Sequence, residues 1–331
     1  MLDVARRLVP APLLQWYSGA SAWAHRRSVQ RAVLALAILM AAAAYVYYLR
    51  NVYEGDAYGY WQSVRWTDLY GNAIASGSAP QGYLYSPAFD QVLWPVLSLP
   101  WLLFHAIWLA LLTALLTWMA RPWLACLLFA TFLVPGIDLL AVPRHNLSSG
   151  NIFLPMALAV VAGFRWPWTY SFLLLTKVTP GIGLLWFLAR REWRNLFVAL
   201  AATGAVVLVS FTFSSNLWFD WIDVLRSNSG NAEPSFAMHV LPLLPRLAIA
   251  SVMTVVAARY NARWVVPVAA MIALPYIPDT ALIMLLGVVP LLRHDAWTEG
   301  GAGDSNLAGQ PAIGASQQNQ NRGPFRSPGS S

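Results

Sequence analysis

Charge and cysteine are both scarce in this chain. Charged residues make up 11% of its 331 residues, against about 25% in a typical soluble domain, while hydrophobic residues make up 58%. This composition excludes an ordinary soluble globular protein and is typical of an integral membrane protein. Because Cys126 is the only cysteine, an intramolecular disulfide and a cysteine-rich metal site are excluded as well.

Several motifs that mark known chemistries are also missing. The sequence has no His-Glu-x-x-His, no clustered cysteine or histidine, no phosphate-binding glycine loop and no Gly-x-Ser-x-Gly. We therefore expect no metal and no cofactor. The net charge of +7 does not indicate nucleic-acid binding, because the basic residues stand in short runs between apolar segments, as membrane orientation requires.

Apolar segments recur along most of the chain and predict an all-α polytopic membrane protein, a helical bundle of about nine to ten membrane segments. The expected segments are 31–49, 92–119, 122–140, 151–164, an interrupted hairpin at 166–189, 195–213, 240–258, 263–277 and 280–292. They form one transmembrane domain, 31–293. A cytoplasmic interfacial segment, 1–30, precedes it, and a polar cytoplasmic tail, 294–331, which we expect to be disordered, follows it.

The segment 166–189 is broken in its middle. Two apolar runs of about eleven residues flank Lys177-Val178-Thr179-Pro180-Gly181, and neither can cross about 30 Å as a helix that rises about 1.5 Å per residue. They form either two tilted short helices or one interrupted hairpin. Such backbone is tolerated at membrane depth only where it is buried in protein or lines a cavity.

Charge predicts the orientation of the chain. Arginines occupy alternate short connections, as in the basic N-terminus, so these connections and both termini are expected in the cytoplasm. The opposite connections hold most of the acids and include the longest ordered polar loop, residues 50–90. We therefore expect a multi-pass protein of the plasma membrane whose chemistry lies on the extracytoplasmic face.

The loop 50–90 supplies the acidic candidates. Glu54 and Asp56 follow the first span and stand among tyrosines. A carboxylate at a membrane boundary can serve as a general base that partial burial tunes. The alternative is that both are ordinary solvated loop charges.

A second set of candidates is basic and breaks the positive-inside pattern: Arg144, His145, Lys177, Arg226, His239 and Arg246. A lysine inside an apolar stretch needs a partner. For Lys177 that partner is either structural, such as Asp138 or carbonyls at a helix end, or the phosphate of a lipid ligand. For the arginines taken singly, contact with headgroups or with the surface is the simpler interpretation.

Four motifs follow one another in a recognisable order. Gly55-Asp56-Ala57-Tyr58-Gly59-Tyr60 comes after the first span, then Leu69-Tyr70 with Tyr83-Leu84-Tyr85-Ser86-Pro87, then Gly150-Asn151, then Lys177-Val178-Thr179-Pro180 before an arginine-rich turn. In these motifs, over roughly residues 30–260, the chain resembles the polyprenol-phosphate-mannose-dependent mannosyltransferases of glycosyltransferase family 87, in the GT-C superfamily. Ser86 stands where the family has a proline, and Asn151 where it has a glutamine.

The resemblance implies a GT-C-like helical bundle that uses a polyprenyl-phosphate sugar donor, with mannose as the expected sugar, and a lipid-linked or glycan acceptor, among membrane lipids. It implies that Asp56 is the catalytic base of an inverting transfer. The expected donor-phosphate contacts are Lys177, Arg144 and His145, in that order. Further substrate contacts are expected from Glu54, Tyr58, Tyr60, Trp61, Tyr85 and Asn151.

Two other functions stay open on the sequence alone. A transporter or flippase for a lipid-linked or anionic substrate would also use a broken helix near Lys177 and Pro180. Against it, no duplicated pattern relates the two halves of the chain, and the acids lie mostly outside the apolar segments. A non-catalytic membrane subunit that retains only the fold is the other alternative.

Overall fold

The computed structural model describes residues 26–52, 55–71, 83–130, 141–228 and 241–292. Within these ranges the regular elements are α-helices and short 3-10 segments, which confirms the predicted all-α class. The α-helices are α1 Arg27–Arg50, α2 Asp56–Ser63, α3 Pro87–Leu97, α4 Trp101–Met119, α5 Pro122–Ala130, α6 Val142–Ser149, α7 Phe153–Gly163, α8 Tyr170–Thr176, α9 Leu184–Ala189, α10 Trp193–Phe213, α11 Ser215–Asn228, α12 Leu243–Arg259 and α13 Val265–Ile272. The 3-10 segments are Pro167–Thr169, Thr179–Gly183 and Asp279–Gly287.

Three of the described helices, α1, α4 and α10, are long and apolar enough to cross a bilayer. Helices α6 and α7 together give a fourth candidate, bent by 104° where they join. The other expected segments form shorter or interrupted helices within the described ranges, where prolines and glycines divide several of their apolar runs. Residues 131–140 of the expected segment 122–140 lie outside the described residues. The protein is thus a polytopic membrane protein in which many segments are broken.

The three long helices differ in how deeply they lie in the bundle. The buried share of the most apolar 18-residue stretch is 44% in α4, 28% in α1 and 11% in α10. Large apolar side chains such as Phe197, Leu208 and Phe213 of α10 are exposed. Water does not tolerate an apolar surface of this extent on a monomer, whereas lipid tails do.

Helix α7 lies at the centre of the described bundle. Its residues Phe153, Leu154, Met156 and Val160 are all fully buried, as expected for a helix that is apolar on every side. It packs against α4, α8 and the 3-10 segment Asp279–Gly287. The residues that precede α7 are therefore held in place by three neighbouring elements.

The predicted interruption of 166–189 is present at Lys177, which has an extended backbone between α8 and the 3-10 segment Thr179–Gly183. The break is held by close packing around the buried ring of Tyr170. A Cβ atom at Gly163 or at Gly183 would clash with that ring or its hydroxyl group. The two glycines thus allow the ring of Tyr170 to pack between α7 and the segment that follows Lys177.

By its contacts the chain divides after Leu291 into a first unit and a second one, Leu292–Ser331. The first unit contains one large cluster of buried apolar residues and a small one formed by Ala250, Ala269 and Ala273, where small side chains let α12 and α13 approach closely. The predicted tail lies outside the described residues, as does most of the predicted N-terminal segment.

Candidate active site

Asp56 is the first residue of α2. Its charge is compatible with this position, because the N-terminus of a helix favours an acid. The residue is exposed to solvent, yet protein surrounds its carboxyl group densely enough for burial to be the largest influence on its pKa. The carboxyl group is thus accessible to solvent and at the same time closely surrounded by protein, and we call the surface around it the recess.

Asn151 holds the Asp56 carboxylate in one orientation. Its Nδ2 donates a hydrogen bond to Oδ2 of Asp56 at 2.6 Å, and its Oδ1 accepts one from the backbone N–H of Phe153 at 3.3 Å. The second bond fixes which end of the carboxamide faces Asp56. The buried Asn151 therefore places a donor, and not an acceptor, against the carboxylate.

Gly150 makes this contact possible. It ends α6 in the left-handed region, with a φ of 69°, a conformation that glycine adopts without strain. A Cβ atom at this position would clash with Ala57, the neighbour of Asp56, and would lie 3.3 Å from the ring of Trp108. Trp108 in turn donates its indole N–H to the carbonyl oxygen of Gly150 at 2.7 Å. The start of α2 and the end of α6 thus approach closely because residue 150 has no side chain.

Burial raises the pKa of the Asp56 carboxyl above its ordinary value, and three groups oppose that rise. They are the hydrogen bond from Asn151, the positive charge of Lys177 and the hydroxyl of Ser149. The buried Ser149 Oγ does not reach the geometry of a full hydrogen bond to a described residue. Sequence reasoning did not identify Ser149, although its place before Gly150 and Asn151 is a signal that could have done so.

Lys177 brings a cation to the same recess. Its Nζ lies 4.6 Å from the centroid of the Phe153 ring and interacts electrostatically with Asp56 without forming an ion pair. Among the described residues Nζ has no hydrogen-bond or ion-pair partner within direct reach. Asp138, the structural partner considered above, lies outside the described ranges.

Two tyrosines, Tyr60 and Tyr85, lie near Asp56. Tyr60, one turn along α2, is buried, and its hydroxyl lies 3.2 Å from that of Tyr85. Both tyrosines interact electrostatically with Asp56, and burial raises the pKa of each above its ordinary value. They therefore stay protonated and can donate hydrogen bonds.

Ser86, which stands where the family has a proline, forms a backbone hydrogen bond. The backbone N–H of Ser86 donates to the carbonyl oxygen of Leu175 at 3.2 Å. A proline has no N–H and could not form this bond. The bond ties the loop of Tyr85 to the end of α8, just before Lys177.

Arg144 and His145 lie on α6, less than two turns before Asn151. Arg144 interacts electrostatically with Tyr48 of α1. The Nδ1 atom of His145 lies 2.8 Å from Oδ2 of Asp279, and both side chains are about two-fifths exposed, at 41% and 43%. Asp279 was not a candidate from sequence, because 134 residues separate it from His145.

Tyr58 and Trp61 pack away from α2 against the start of α4. Their rings stack with centroids 5.6 Å apart, and both contact the ring of Trp101. The indole N–H of Trp61 donates to the carbonyl oxygen of Leu99 at 2.8 Å, and the Arg65 guanidinium lies 3.8 Å from its ring centroid. Through these contacts both rings anchor α2 to the start of α4.

The remaining basic candidates do not join the recess. Arg226 pairs with Asp223 at 3.2 Å on the exposed surface of α11. The guanidinium of Arg246 donates to four backbone carbonyl oxygens, which lie 2.7–3.3 Å away on Leu241, Ile272, Leu274 and Pro275. Glu54 and His239 lie outside the described residues.

A cavity of about 540 Å³ lies between α1 and α4, lined almost entirely by apolar residues such as Leu34, Ala41 and Ala114. It contains none of the candidate residues. Within the described ranges no three His, Cys, Asp or Glu side chains converge as metal ligands would.

Comparison with known proteins identifies the family. Over 145 residues the chain is 28% identical to a polyprenol-phosphate-mannose-dependent alpha-(1-2)-phosphatidylinositol mannoside mannosyltransferase of Mycolicibacterium smegmatis; the match covers 40% of this chain and 31% of that protein. No solved structure matches the chain. The profile of glycosyltransferase family 87 matches residues 83–292, a range that includes His145, Asn151 and Lys177 and begins after Asp56. Because that range is more than half of the chain, the protein belongs to glycosyltransferase family 87.

Proposed function

We propose that this membrane-embedded glycosyltransferase is a polyprenyl-phosphate-sugar-dependent hexosyltransferase. It moves mannose from its lipid carrier to a lipid-linked or glycan acceptor on the extracytoplasmic face of the plasma membrane. Family membership supports sugar transfer, and the name of the mycobacterial relative supports the mannose donor and a glycolipid acceptor. The predicted charge topology supports the side of the membrane.

One observation carries the proposal: an accessible carboxylate and a cation that forms no hydrogen bond or ion pair with a described residue lie close enough for their charges to interact. Asp56 is oriented by Asn151, and Lys177 lies close enough for its charge to act on Asp56. A base and a cation are the two groups that sugar transfer from a phosphate requires. The base activates the acceptor, and the cation stabilises the leaving phosphate.

In the proposed reaction Asp56 takes the proton of an acceptor hydroxyl as that oxygen attacks the anomeric carbon. A bond forms between the acceptor oxygen and the anomeric carbon while the bond from this carbon to the phosphate oxygen breaks. The electron pair of the broken bond leaves with the polyprenyl phosphate. Because attack and departure take place on opposite faces, a β-linked donor gives an α-mannoside.

The surroundings of Asp56 suit a general base. A carboxyl whose pKa is raised by burial binds a proton more readily than an ordinary aspartate, while the positive charge of Lys177 opposes that rise and favours the ionised form. The hydroxyls of Tyr60 and Tyr85 and the carboxamide of Asn151 supply donors around it. Such donors hold the sugar hydroxyls in register with the carboxylate.

The test is sugar transfer by the purified protein in lipid nanodiscs. Radiolabelled mannosyl phosphoryl polyprenol is the donor, and mannosylated phosphatidylinositol and a lipid-linked glycan are the first acceptors. We expect label in a new glycolipid that α-mannosidase releases. Absence of any labelled product, or a product that resists α-mannosidase, contradicts the proposal.

Two matched variants test the base. We expect Asp56→Asn to lower turnover by roughly 10²–10⁴-fold, the usual cost of removing a general base. Asp90→Asn makes the same chemical change at a carboxylate that accepts a hydrogen bond from Ser63, and we expect it to retain turnover. Near-normal turnover of Asp56→Asn would assign the base elsewhere.

The same assay addresses the transporter alternative, which the interruption at Lys177 also suits. Flux of the labelled lipid across a proteoliposome without a covalent product would favour a transporter. Covalent transfer that depends on Asp56 favours the enzyme, because carriage across a membrane forms no new glycosidic bond.

A further inference from the structure

His145 and Asp279 form a pair that the proposed reaction has not yet used. Nδ1 of His145 lies 2.8 Å from Oδ2 of Asp279. The other oxygen of Asp279 accepts the backbone N–H of Thr280 at 2.7 Å. With both of its oxygens occupied, the Asp279 carboxylate is fixed in one orientation and holds the imidazole ring in turn.

A second contact keeps the two elements in register. The side chain of the buried Asn146 donates to the carbonyl oxygens of Val142, at 2.9 Å, and of Thr280, at 2.8 Å. Helix α6 is therefore joined to the start of the 3-10 segment Asp279–Gly287 through two neighbouring residues on each side. The position of the His145 ring is therefore fixed by both hydrogen bonds, the one from Asn146 to Thr280 as well as its own contact with Asp279.

The free edge of His145 is available to a ligand. Since Nδ1 faces Asp279, the Nε2 atom is left without a partner among the described residues. When the ring is protonated, Nδ1–H donates to Asp279 and Nε2–H can donate to an anion. The side chain is 41% exposed, so the ring is accessible.

This edge lies near the recess. His145 and Ser149 are four residues apart on α6, so their side chains lie on the same face, about 5–6 Å apart at Cβ. The Ser149 hydroxyl is close enough to Asp56 to lower the pKa of its carboxyl. In an inverting displacement the base and the leaving group lie on opposite sides of a sugar ring. One turn of α6, which separates His145 from Ser149, is about as long as a sugar ring is wide.

We propose that Asp279 is a positioning residue that presents Nε2 of His145 to the phosphate of the lipid-linked donor. This inference rests on the proposed function and adds to it a residue that acts through His145. A charge-assisted hydrogen bond from Nε2–H gains strength as negative charge grows on the departing phosphate. Lys177 acts from the side of Asp56, whereas His145 acts from α6.

The variant Asp279→Asn tests the role of the carboxylate. The amide can still accept the Thr280 N–H, but its NH₂ group then donates to Nδ1, so the ring keeps its one proton on Nε2 and the positively charged, doubly protonated form is disfavoured. We expect the affinity for polyprenyl phosphate to fall roughly 10–100-fold. The KM for the donor rises in parallel, and the KM for the acceptor stays unchanged.

Three further variants separate positioning from mere stabilisation of the fold. His145→Gln alone should produce the same loss as Asp279→Asn, and the double variant should be no worse than either single one. Asp279→Glu should restore part of the affinity. Asp223→Asn breaks an exposed ion pair on α11 and serves as the matched control, with no expected change.

Competition identifies which phosphate is bound. Polyprenyl phosphate should displace a labelled donor from the nanodisc-embedded protein, whereas inorganic phosphate and vesicles of phosphatidic acid should not do so at equal concentration. Equal displacement by either of the latter overturns the assignment to the donor. So does an Asp279→Asn protein that melts earlier yet keeps its affinity for polyprenyl phosphate, or losses that add fully in the double variant.

Lipid binding can be measured without sugar transfer, so the two proposals fail separately. A wild-type protein that transfers no sugar but binds polyprenyl phosphate through His145 and Asp279 overturns the proposed reaction alone. A protein that transfers mannose normally as Asp279→Asn overturns the inference about Asp279 alone.

Discussion

Lys177 and Arg246 are both cations outside the positive-inside pattern, and the structure treats them in opposite ways. The guanidinium of Arg246 donates to four backbone carbonyls, three of which follow or end α13. Among the described residues the ammonium of Lys177 has only the ring of Phe153 and the electrostatic attraction of Asp56. The guanidinium of Arg246 is therefore hydrogen-bonded to the backbone, whereas the N–H groups of Lys177 form no hydrogen bond to a described residue.

The difference separates a structural charge from a functional one. The last carbonyls of a helix have no partner within the helix, and a cation that binds them stabilises both the helix end and itself. A cation in an apolar stretch that lacks such partners costs stability. Such a cation is retained where a ligand completes its contacts, and this is the reason for the proposal that Lys177 contacts the donor phosphate.

The largest expected effect exchanges each cation for methionine, which keeps an unbranched apolar chain. Lys177→Met should lower turnover by roughly 10²–10³-fold, since a charge that stabilises the leaving phosphate is lost. Its melting temperature should be unchanged or higher. Arg246→Met should reduce the free energy of unfolding by roughly 2–4 kcal/mol, because several carbonyls lose a charged donor, while the folded fraction keeps its turnover.

Thermal unfolding in detergent and labelled-mannose transfer measure the two effects side by side. The comparison fails if Lys177→Met melts earlier with full turnover, or if Arg246→Met loses turnover without loss of stability. Either result would exchange the roles assigned to the two side chains.

A smaller effect is expected from glycines on either side of the recess. Gly150→Ala places a side chain at a φ of 69° and against Ala57, which separates Asn151 from Asp56. We expect turnover to fall roughly 10–100-fold, because misplacement of a catalytic group by about 1 Å has that cost. The backbone strain of about 1–3 kcal/mol should also lower the melting temperature.

Gly59→Ala is the matched control within α2. A Cβ atom at Gly59 meets nothing within 4 Å, and alanine is the better helix former by about 1 kcal/mol. Its stability should be equal or higher, and its turnover should be preserved. Equal damage from both alanines would show that the recess is sensitive to any change in α2, and not to the approach at Gly150.

The smallest expected effect concerns the stability of Asp56→Asn. Burial raises the pKa of Asp56 above 3.8 in the folded state, so the folded protein binds a proton more tightly than the unfolded chain. The resulting stability is present below about pH 3.8 and is lost as the pH rises through the folded pKa. Above pH 3.8 the carboxyl group of Asp56 is therefore less favourable to the fold than a neutral side chain of the same shape.

Asp56→Asn should accordingly melt higher than the wild type at pH 7, by on the order of 2 °C. The gain is modest because the carboxyl is open to solvent. Melting curves between pH 4 and pH 8 measure it, and the difference between the two proteins should shrink towards the acidic end. A variant that melts lower at pH 7 would mean that ionised Asp56 stabilises the fold.

Hydropathy and turn residues predicted several elements well. The first span, expected at 31–49, is the helix α1, and the interruption expected around Lys177 and Pro180 is present. These features follow from local rules, because apolar length and helix-breaking residues act on their own segment. The recess was foreseen in part, since Asp56, Asn151 and Lys177 were candidates and the structure brings them together.

Other parts of the site had no local signal. The pairing of His145 with Asp279 joins residues 134 positions apart, and neither stands in a pattern that names the other. The anchoring of Trp61 by Leu99 and Arg65 likewise depends on how α2 meets the α3–α4 connection. The sequence predicts a substrate contact for Trp61 because it does not distinguish an exposed aromatic ring from one that anchors a helix.

The sequence by itself determined that this chain is an all-helical membrane protein, where its helices break, and which few polar residues stand out against the apolar background. Each of these depends on composition and on neighbours along the chain. Only the tertiary structure decided which of the described polar residues have hydrogen-bond partners within the protein and which do not. That distinction arises when distant helices pack: Arg246 binds carbonyl oxygens at a helix end, whereas Lys177 lies near Asp56 without a hydrogen bond to a described residue.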